Sequence, residues 1–215
     1  LTPEQARDRA ADIVARARAA GADAADAVFA ADAALEVSVR LGALEDVGRS
    51  ESEELGLRVF VGRRSASVST SDLSGDAMAL AVERAVAMAR EAPEDRWAGL
   101  APEERLLHGA PPMLDLDDGG EVEPEALRAA ALAAEEAARA VAGVTNSEGG
   151  GASASRVVSA LATNHGFAAG YGATGYGLSV SVVAGEGANM QRDYAHHGAR
   201  LRRLLESPEA IGTRA

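Results

Sequence analysis

The chain has 215 residues, 47 % apolar but only 3 % aromatic, with 33 acidic against 21 basic side chains and a formal net charge of -12. That length buries a real core in one large domain or two small ones, built mainly from Ala, Val and Leu, while the acidity opposes binding to a phosphate backbone. Every basic residue is Arg and Cys is absent, which excludes lysine Schiff bases, a Walker-type phosphate lysine, thiol catalysis, thiolate metal sites and disulfides. No apolar run has membrane-spanning length and no stretch has the pattern of a signal peptide; the lack of Cys is compatible with a cytoplasmic protein, though a cysteine-free exported protein would look the same.

In chain order, Thr2-Pro3-Glu4-Gln5 opens a helix: Thr2 caps, Pro3 suits the first turn, and Gln5 completes a capping box. Ala6, Ala10, Ile13, Ala17 and Ala20 form its apolar stripe and Gly21 ends it. Residues 26–70 read as an antiparallel meander. Val28 and Phe29 lie in one strand, and Leu35, Val37, Val39 and Leu41 alternate in a next one. Leu55, Leu57, Val59 and Val61 alternate again, Gly62-Arg63-Arg64 breaks the pattern, and Ala66 to Thr70 resumes it. A second helix follows the caps in Ser71 to Ser74, with Met78, Val82, Ala85 and Ala89 on one face, and stops at Pro93.

Residues 93–123, with Pro93, Pro102, Pro111 and Pro112 and many acids, read as a solvated acidic connection. Asp115 to Asp118 with Glu121 and Glu123 lack the spacing of a calcium loop. Pro124 starts a third helix carrying Leu127, Ala131, Ala134, Ala138 and Val141. Glycine-rich turns and short strands follow at Arg156 to Ala162 and Leu178 to Val183; Ala199 to Leu205 reads as helical, and Ser207-Pro208-Glu209 as a fresh helix start. The expected fold is therefore α+β, an antiparallel meander packed with helices, followed by a second helix plus Gly-rich strand region. Its expected parts are a helix–meander–helix lobe at 1–92, the connection at 93–123, a helix and Gly-rich strand lobe at 124–206, and at 207–215 the start of a link to a further C-terminal domain.

No catalytic constellation stands out. Gly170-Tyr-Gly172-Ala-Thr-Gly175 matches G-x-G-x-x-G, but the dinucleotide fingerprint needs a helix after the glycines, and Leu178 to Val182 is a strand. It reads instead as a turn or a flexible, peptide-contacting loop, as does Asn146 to Gly151. His108, His165, His196 and His197 show no H-E-x-x-H spacing, and adjacent His196 and His197 point apart in either a strand or a helix. No G-x-S-x-G elbow surrounds any serine, and Ser67, Ser69 and Ser71 read as the polar face of a strand.

"RSESEELGLRVFVGRRSASVSTSDLS", preceded by "SVRLGALEDV", resembles the N-terminal half of the PmbA/TldE branch of the TldD/PmbA family, the modulators of DNA gyrase. "SEGGGASAS", "TNHGFAAGYGATGYGLSVSVVAGEG" and "MQRDYAHH" match that family's Gly-rich segment and E/Q-R-D-Y motif. The resemblance implies a cytoplasmic bacterial subunit that pairs with a TldD-like paralogue in a proteolytic assembly. It places the zinc-binding H-E-x-x-x-H helix in that partner, so no catalytic, cofactor or metal residue carries over to this chain. Unfolded peptides are the expected substrates and self-association a further expectation. Because a sheet edge pairs with extended peptide through main-chain hydrogen bonds, the candidate peptide contacts are Leu57, Val59, Val61, Ser67, Ser69, Gly170, Tyr171, Gly172 and Tyr176. The rivals are a metallopeptidase with ligands in the remaining half, and a non-proteolytic gyrase binder using acidity as a DNA mimic; spread acids among 21 Arg weaken the latter.

Overall fold

The computed structural model describes residues 1–215. Four helices, α1 (Pro3–Ala19), α2 (Gly75–Glu91), α3 (Pro124–Arg139) and α4 (Pro208–Arg214), accompany six strands. The strands are β1 (Ala24–Arg40), β2 (Ala43–Val61), β3 (Arg64–Thr70), β4 (Val144–Thr163), β5 (Ala168–Ala184) and β6 (Gln191–Ala199). They form one antiparallel sheet in the order β3-β2-β1-β4-β5-β6, two three-stranded meanders meeting at β1 and β4, and the fold is α+β. The capping box of α1 is present: the Gln5 N–H donates to Thr2 Oγ1 at 3.2 Å and the Thr2 N–H to Gln5 Oε1 at 2.9 Å. Ser74 and Ser207 cap α2 and α4.

Four expectations change. Val28 to Leu41 is not two strands; β1 runs unbroken to Arg40, with Ala25, Ala27 and Phe29 buried near one end and Val37 and Val39 near the other. Asn146 to Gly151 and Gly170 to Gly175 are not turns or loops but lie within β4 and β5. Ala199 to Leu205 is not a helix; only a 3-10 turn forms, at Arg202–Leu204. Val141 falls beyond the end of α3 and is exposed. The glycines enter strands because neighbours approach too closely for a side chain. A Cβ at Gly150 would lie 2.7 Å from the Ala131 carbonyl oxygen of α3.

Two compact units draw on interleaved stretches of chain, because the long strands pass from one to the other. The first comprises Leu1–Asp32, Ser52–Leu114 and Val157–Gly172; the second comprises Ala33–Glu51, Asp115–Arg156 and Ala173–Ala215. In the first, Ala6, Ile13 and Ala17 of α1 and Val82 and Val86 of α2 share a core with Phe29, Leu55, Leu57 and Val59. In the second, Leu127, Ala131 and Ala134 of α3 and Ile211 of α4 cover Val37, Val39, Leu178 and Val180.

Both hairpin turns of the first meander use left-handed backbone. Leu41 (φ 51°) and Gly42 (φ 79°) join β1 to β2 with positive φ at both central residues, the handedness that matches strand twist. Leucine pays about 1–2 kcal/mol for that conformation. Glu135 of α3 stabilises it: its carboxylate, 1 % exposed, accepts the Leu41 N–H at 2.7 Å and the Gly42 N–H at 2.8 Å. Burial pushes the Glu135 pKa up, but the Ser147 hydroxyl, these two N–H groups and Arg139 together hold it below the ordinary value of 4.5. Between β2 and β3, Gly62 (φ 59°) donates its N–H to Asp23 Oδ2 at 2.7 Å.

Two stability predictions follow from the turns. Gly62→Pro demands φ near −65° and deletes the bond to Asp23, so denaturant unfolding should show a loss on the order of 2–3 kcal/mol. Gly62→Ala should lose only about 1 kcal/mol, because it strains φ but keeps the N–H. Glu135→Gln turns one buried acceptor into a donor facing an N–H and should lose about 1–3 kcal/mol. Since the folded pKa of Glu135 is depressed, its stabilisation is present above the unfolded pKa and is lost as pH falls through the folded value. Wild type should therefore lose its advantage over Glu135→Gln in acid melts; a constant difference down to full protonation would refute the clamp.

Candidate functional site

The second unit has a groove of about 510 Å³ on the sheet face that α3 and α4 leave open. It lies across β1, β2, β4, β5 and β6, lined by Glu36, Ser38, Asp46, Gly151, Ser153, Gly177, Ser179 and His196. Period-two alternation builds this floor. In Gly151-Ala-Ser153-Ala-Ser155 and Gly175-Tyr-Gly177-Leu-Ser179, small polar residues face the groove, while Ala152, Tyr176 and Leu178 are buried. Each serine lies over a glycine on the neighbouring strand. A Cβ at Gly177 would lie 2.7 Å from Ser153 Oγ, one at Gly175 2.9 Å from Ser155 Oγ, and one at Gly151 3.3 Å from Ser179 Oγ. The result is a flat floor of hydroxyl and main-chain groups, with a volume typical of ligand clefts. Sequence reasoning missed these residues; the doubled Gly/Ser alternation was the available signal.

Charge is confined to the margins. The Ser181 hydroxyl donates to Glu148 Oε2 at 2.7 Å, and Arg192 pairs with the same carboxylate. Tyr194 and His196 stack on β6 with ring centroids 6.1 Å apart and 16° between planes. His197 is otherwise engaged: its Nδ1 accepts the Glu206 N–H at 3.2 Å, and Glu206 pairs with Arg214 of α4.

The acidic stretch ahead of α3 is held down by bonds, not merely solvated. Asp117 Oδ2 accepts from Arg156 Nη2 at 2.9 Å, and Asp118 Oδ2 accepts the Arg202 N–H at 2.6 Å. Asp115 pairs with Arg203 at 2.9 Å, and the Thr174 N–H donates to the Leu116 carbonyl at 2.8 Å. The Arg156 guanidinium holds the Asp117 carboxyl below its usual pKa against a weaker rise from burial.

The expected peptide contacts do not gather in one place. Leu57 and Val59 are buried in the first core and Val61 is half-buried against it. Ser67 and Ser69 line a second groove, of about 450 Å³, with Asp26, Val28, Gly56 and Arg58. Arg58 spans it, bonded to Asp26 at 2.9 and 2.5 Å and lying 5.2 Å from the centroid of Phe60. Gly170 is packed against the Pro3 carbonyl, Tyr171 is exposed and Gly172 is half-buried. Tyr176 is buried in the second unit, and that burial pushes its phenol pKa up.

The donors do not fit a peptidase zinc, which takes about three protein ligands and an open position. Nowhere do three His, Cys, Asp or Glu side chains converge. His108 is in the connection, His165 in the β4–β5 turn, and His197 is bonded to the Glu206 backbone. No helix is long and apolar enough to cross a membrane.

Fold and site together define an α+β protein with a groove on the strands of each unit and no convergent metal ligands. Residues 25–89 match the PmbA/TldA metallopeptidase domain 1, and residues 117–215 match the PmbA/TldA metallopeptidase central domain. The chain belongs to the PmbA/TldD family, of which it represents the N-terminal half. It is 37 % identical over 191 residues to Metalloprotease PmbA of Escherichia coli O157:H7, covering 88 % of this chain and 42 % of that protein. It is 33 % identical over 179 residues to the Metalloprotease PmbA homolog of Haemophilus influenzae, covering 83 % and 40 %. The chain thus spans less than half the length of these relatives. A crystal structure from Bacteroides thetaiotaomicron, described as a modulator of DNA gyrase, shares the fold with a TM-score of 0.86 at 21 % identity, covering 97 % of this chain and 48 % of that one. TldE from Thermococcus kodakarensis superposes with a TM-score of 0.78 at 17 % identity, covering 95 % and 45 %.

Since Gly170 to Gly175 sit mid-strand with no helix N-terminus after them, calorimetric titration with NAD, FAD or ATP should give no binding heat in the micromolar range. A micromolar affinity for any of the three would contradict this geometry.

Proposed function

We propose that this chain is the N-terminal part of a non-catalytic, cytoplasmic PmbA/TldE-type subunit that helps a zinc-bearing TldD-like paralogue enclose unfolded peptides. The observation that carries the reading is the serine- and glycine-paved floor of the second unit's groove. Extended polypeptide presents a repeating N–H and C=O pattern whatever its side chains. A surface offering hydroxyls and little relief suits such an occupant better than a ligand of one fixed shape. The donor set supports a non-catalytic role for this part, because its histidines are dispersed and it has no cysteine. A second reading, a subunit with its own metal centre outside this chain, is favoured by the name Metalloprotease borne by the Escherichia coli relative.

The test uses the full-length protein with and without a TldD-like partner, on an unfolded casein substrate. Alone it should carry substoichiometric zinc and leave casein intact; with the partner, chelator-sensitive cleavage should appear. Stoichiometric zinc and cleavage by the protein alone would establish the second reading instead. Gly177→Leu, which fills the groove floor, should weaken capture of unfolded peptide by about tenfold, the worth of a small part of the contact. Unchanged capture with unchanged folding would remove the groove from the account.

A further inference from the structure

In the first unit, the strand faces turned away from α1 and α2 hold the groove of about 450 Å³, and its residues fall in two adjoining rows. The Asn164 N–H donates to the Ala25 carbonyl at 3.0 Å, so antiparallel pairing of β4 with β1 sets Leu161 opposite Val28. Both are open to solvent, and on the far side of Val28 the row continues through Gly56 to Ser69. In the next row Asp26 bonds Arg58, which stands opposite Ser67. Arg58 is held without being saturated. Its Nε and Nη2 donate to the two oxygens of Asp26 at 2.9 and 2.5 Å, and its guanidinium lies over the buried Phe60 ring. Nη1 keeps two N–H groups for a further acceptor, and the Ser67 and Ser69 hydroxyls make no bond within the protein. The groove therefore offers fixed donors beside an apolar strip, while its one carboxylate has both oxygens engaged by Arg58.

We propose that this groove binds the C-terminal end of a peptide whose last residue is apolar. The terminal carboxylate accepts from Arg58 Nη1 and from the Ser67 hydroxyl, charge-assisted bonds made to a guanidinium that is already oriented. Gly56 leaves room for the last side chain, which lies against Val28 and Leu161. Both parts are required. The chain carries a net charge of -12 and Asp26 already balances Arg58, so a bare anion gains little. An aliphatic group without a carboxylate leaves the Nη1 donors unanswered. Ser69 favours a peptide over a simple fatty acid, because only the peptide brings a main-chain N–H for its hydroxyl to accept. The groove thus reads a chain end, whereas the occupant proposed for the second unit is read along its length.

Fluorescence anisotropy of the full-length protein with an N-terminally labelled Gly-Ser-Gly-Ser-Ala-Leu peptide tests this. The free acid should bind at least about tenfold more tightly than its C-terminal amide, and about three- to tenfold more tightly than the same peptide ending in Gly. Asp26→Asn combined with Arg58→Gln removes both charges, so neither is stranded, and should abolish the preference for acid over amide. Ser67→Asp, at an exposed strand position, should do the same by engaging Arg58 Nη1 from within the protein. Matching melting temperatures will show that the variants fold. Equal affinity for acid and amide, an acid preference that survives either variant, or displacement of the peptide by octanoate or inorganic phosphate at concentrations near the peptide's own Kd would each overturn the proposal.

Discussion

The second unit depends on one buried carboxylate. Glu135 sits on α3, and its two oxygens accept successive N–H groups from the β1–β2 turn. The carboxylate is buried, so its charge would cost free energy without donors, and these two N–H groups supply them. The carboxylate satisfies both and ties helix to hairpin. It also fixes register. A slip of one residue between β1 and β2 would exchange faces, bringing Glu36 and Ser38 into the core and turning Val37 and Val39 out to the groove. Both the core and the groove floor therefore rest on a turn held in left-handed backbone from outside. The charge tolerates burial because the Ser147 hydroxyl and Arg139 join the two N–H groups.

Small residues are the second constraint. A core with few aromatics gains little area per side chain, so it must gain by close approach. Ala6, Ala10 and Ala17 let α1 lie near its strands, and Ala131, Ala134 and Ala138 do the same for α3. The approach is close enough that the Ala131 carbonyl of α3 occupies the space a side chain at Gly150 would need. The glycine-rich segments that suggested loops are thus the price of thin packing layers. On the open face the same small residues pave the middle of the groove, so core packing and groove floor come from one compositional choice.

This explains how far the sequence could be read. The four helices that form were legible because their signals are local: Thr2 and Gln5 form the capping box, and Ser74 and Ser207 cap as their positions suggested, whereas Ala199 to Leu205, which has no such cap, makes only a 3-10 turn. The β2–β3 hairpin was legible because Leu55, Leu57 and Val59 contrast sharply with their polar neighbours. β4 and β5 were legible only in part. Gly, Ala and Ser alternate there with little difference in polarity, and glycine is a breaker by propensity. What makes these residues strand is the approach of α3 and of each other's hydroxyls, which is tertiary. Most residues of the groove were missed for the same reason: the Ser153 and Gly177 pair needs a register that no local window contains. Nor does a residue-by-residue reading reveal that strands such as β1 serve two cores, which is how the units come to interleave.

The distribution of charge gives the sheet its remaining logic. Acidic residues outnumber basic ones, yet in the second unit many are paired with arginines or backbone N–H groups: Asp117 with Arg156, Asp115 with Arg203, Asp118 with the Arg202 N–H. Exposed pairs of this kind add little stability one at a time. Their effect is positional, since three aspartates tie the segment before α3 to strand β4 and to the chain following β6. Arginine suits the Asp117 pair better than lysine would, because its Nε and Nη2 donate together to one carboxylate oxygen, Oδ2. Glu36 and Asp46 lie at the groove with no cation bonded to them, while Glu148 is neutralised by Arg192. The groove therefore carries a negative bias at its β1–β2 margin and a neutral floor. Under the proposed peptide-enclosing role, an extended chain crossing it would be oriented by its basic side chains and held by its main chain, a division that would let one surface accept many sequences.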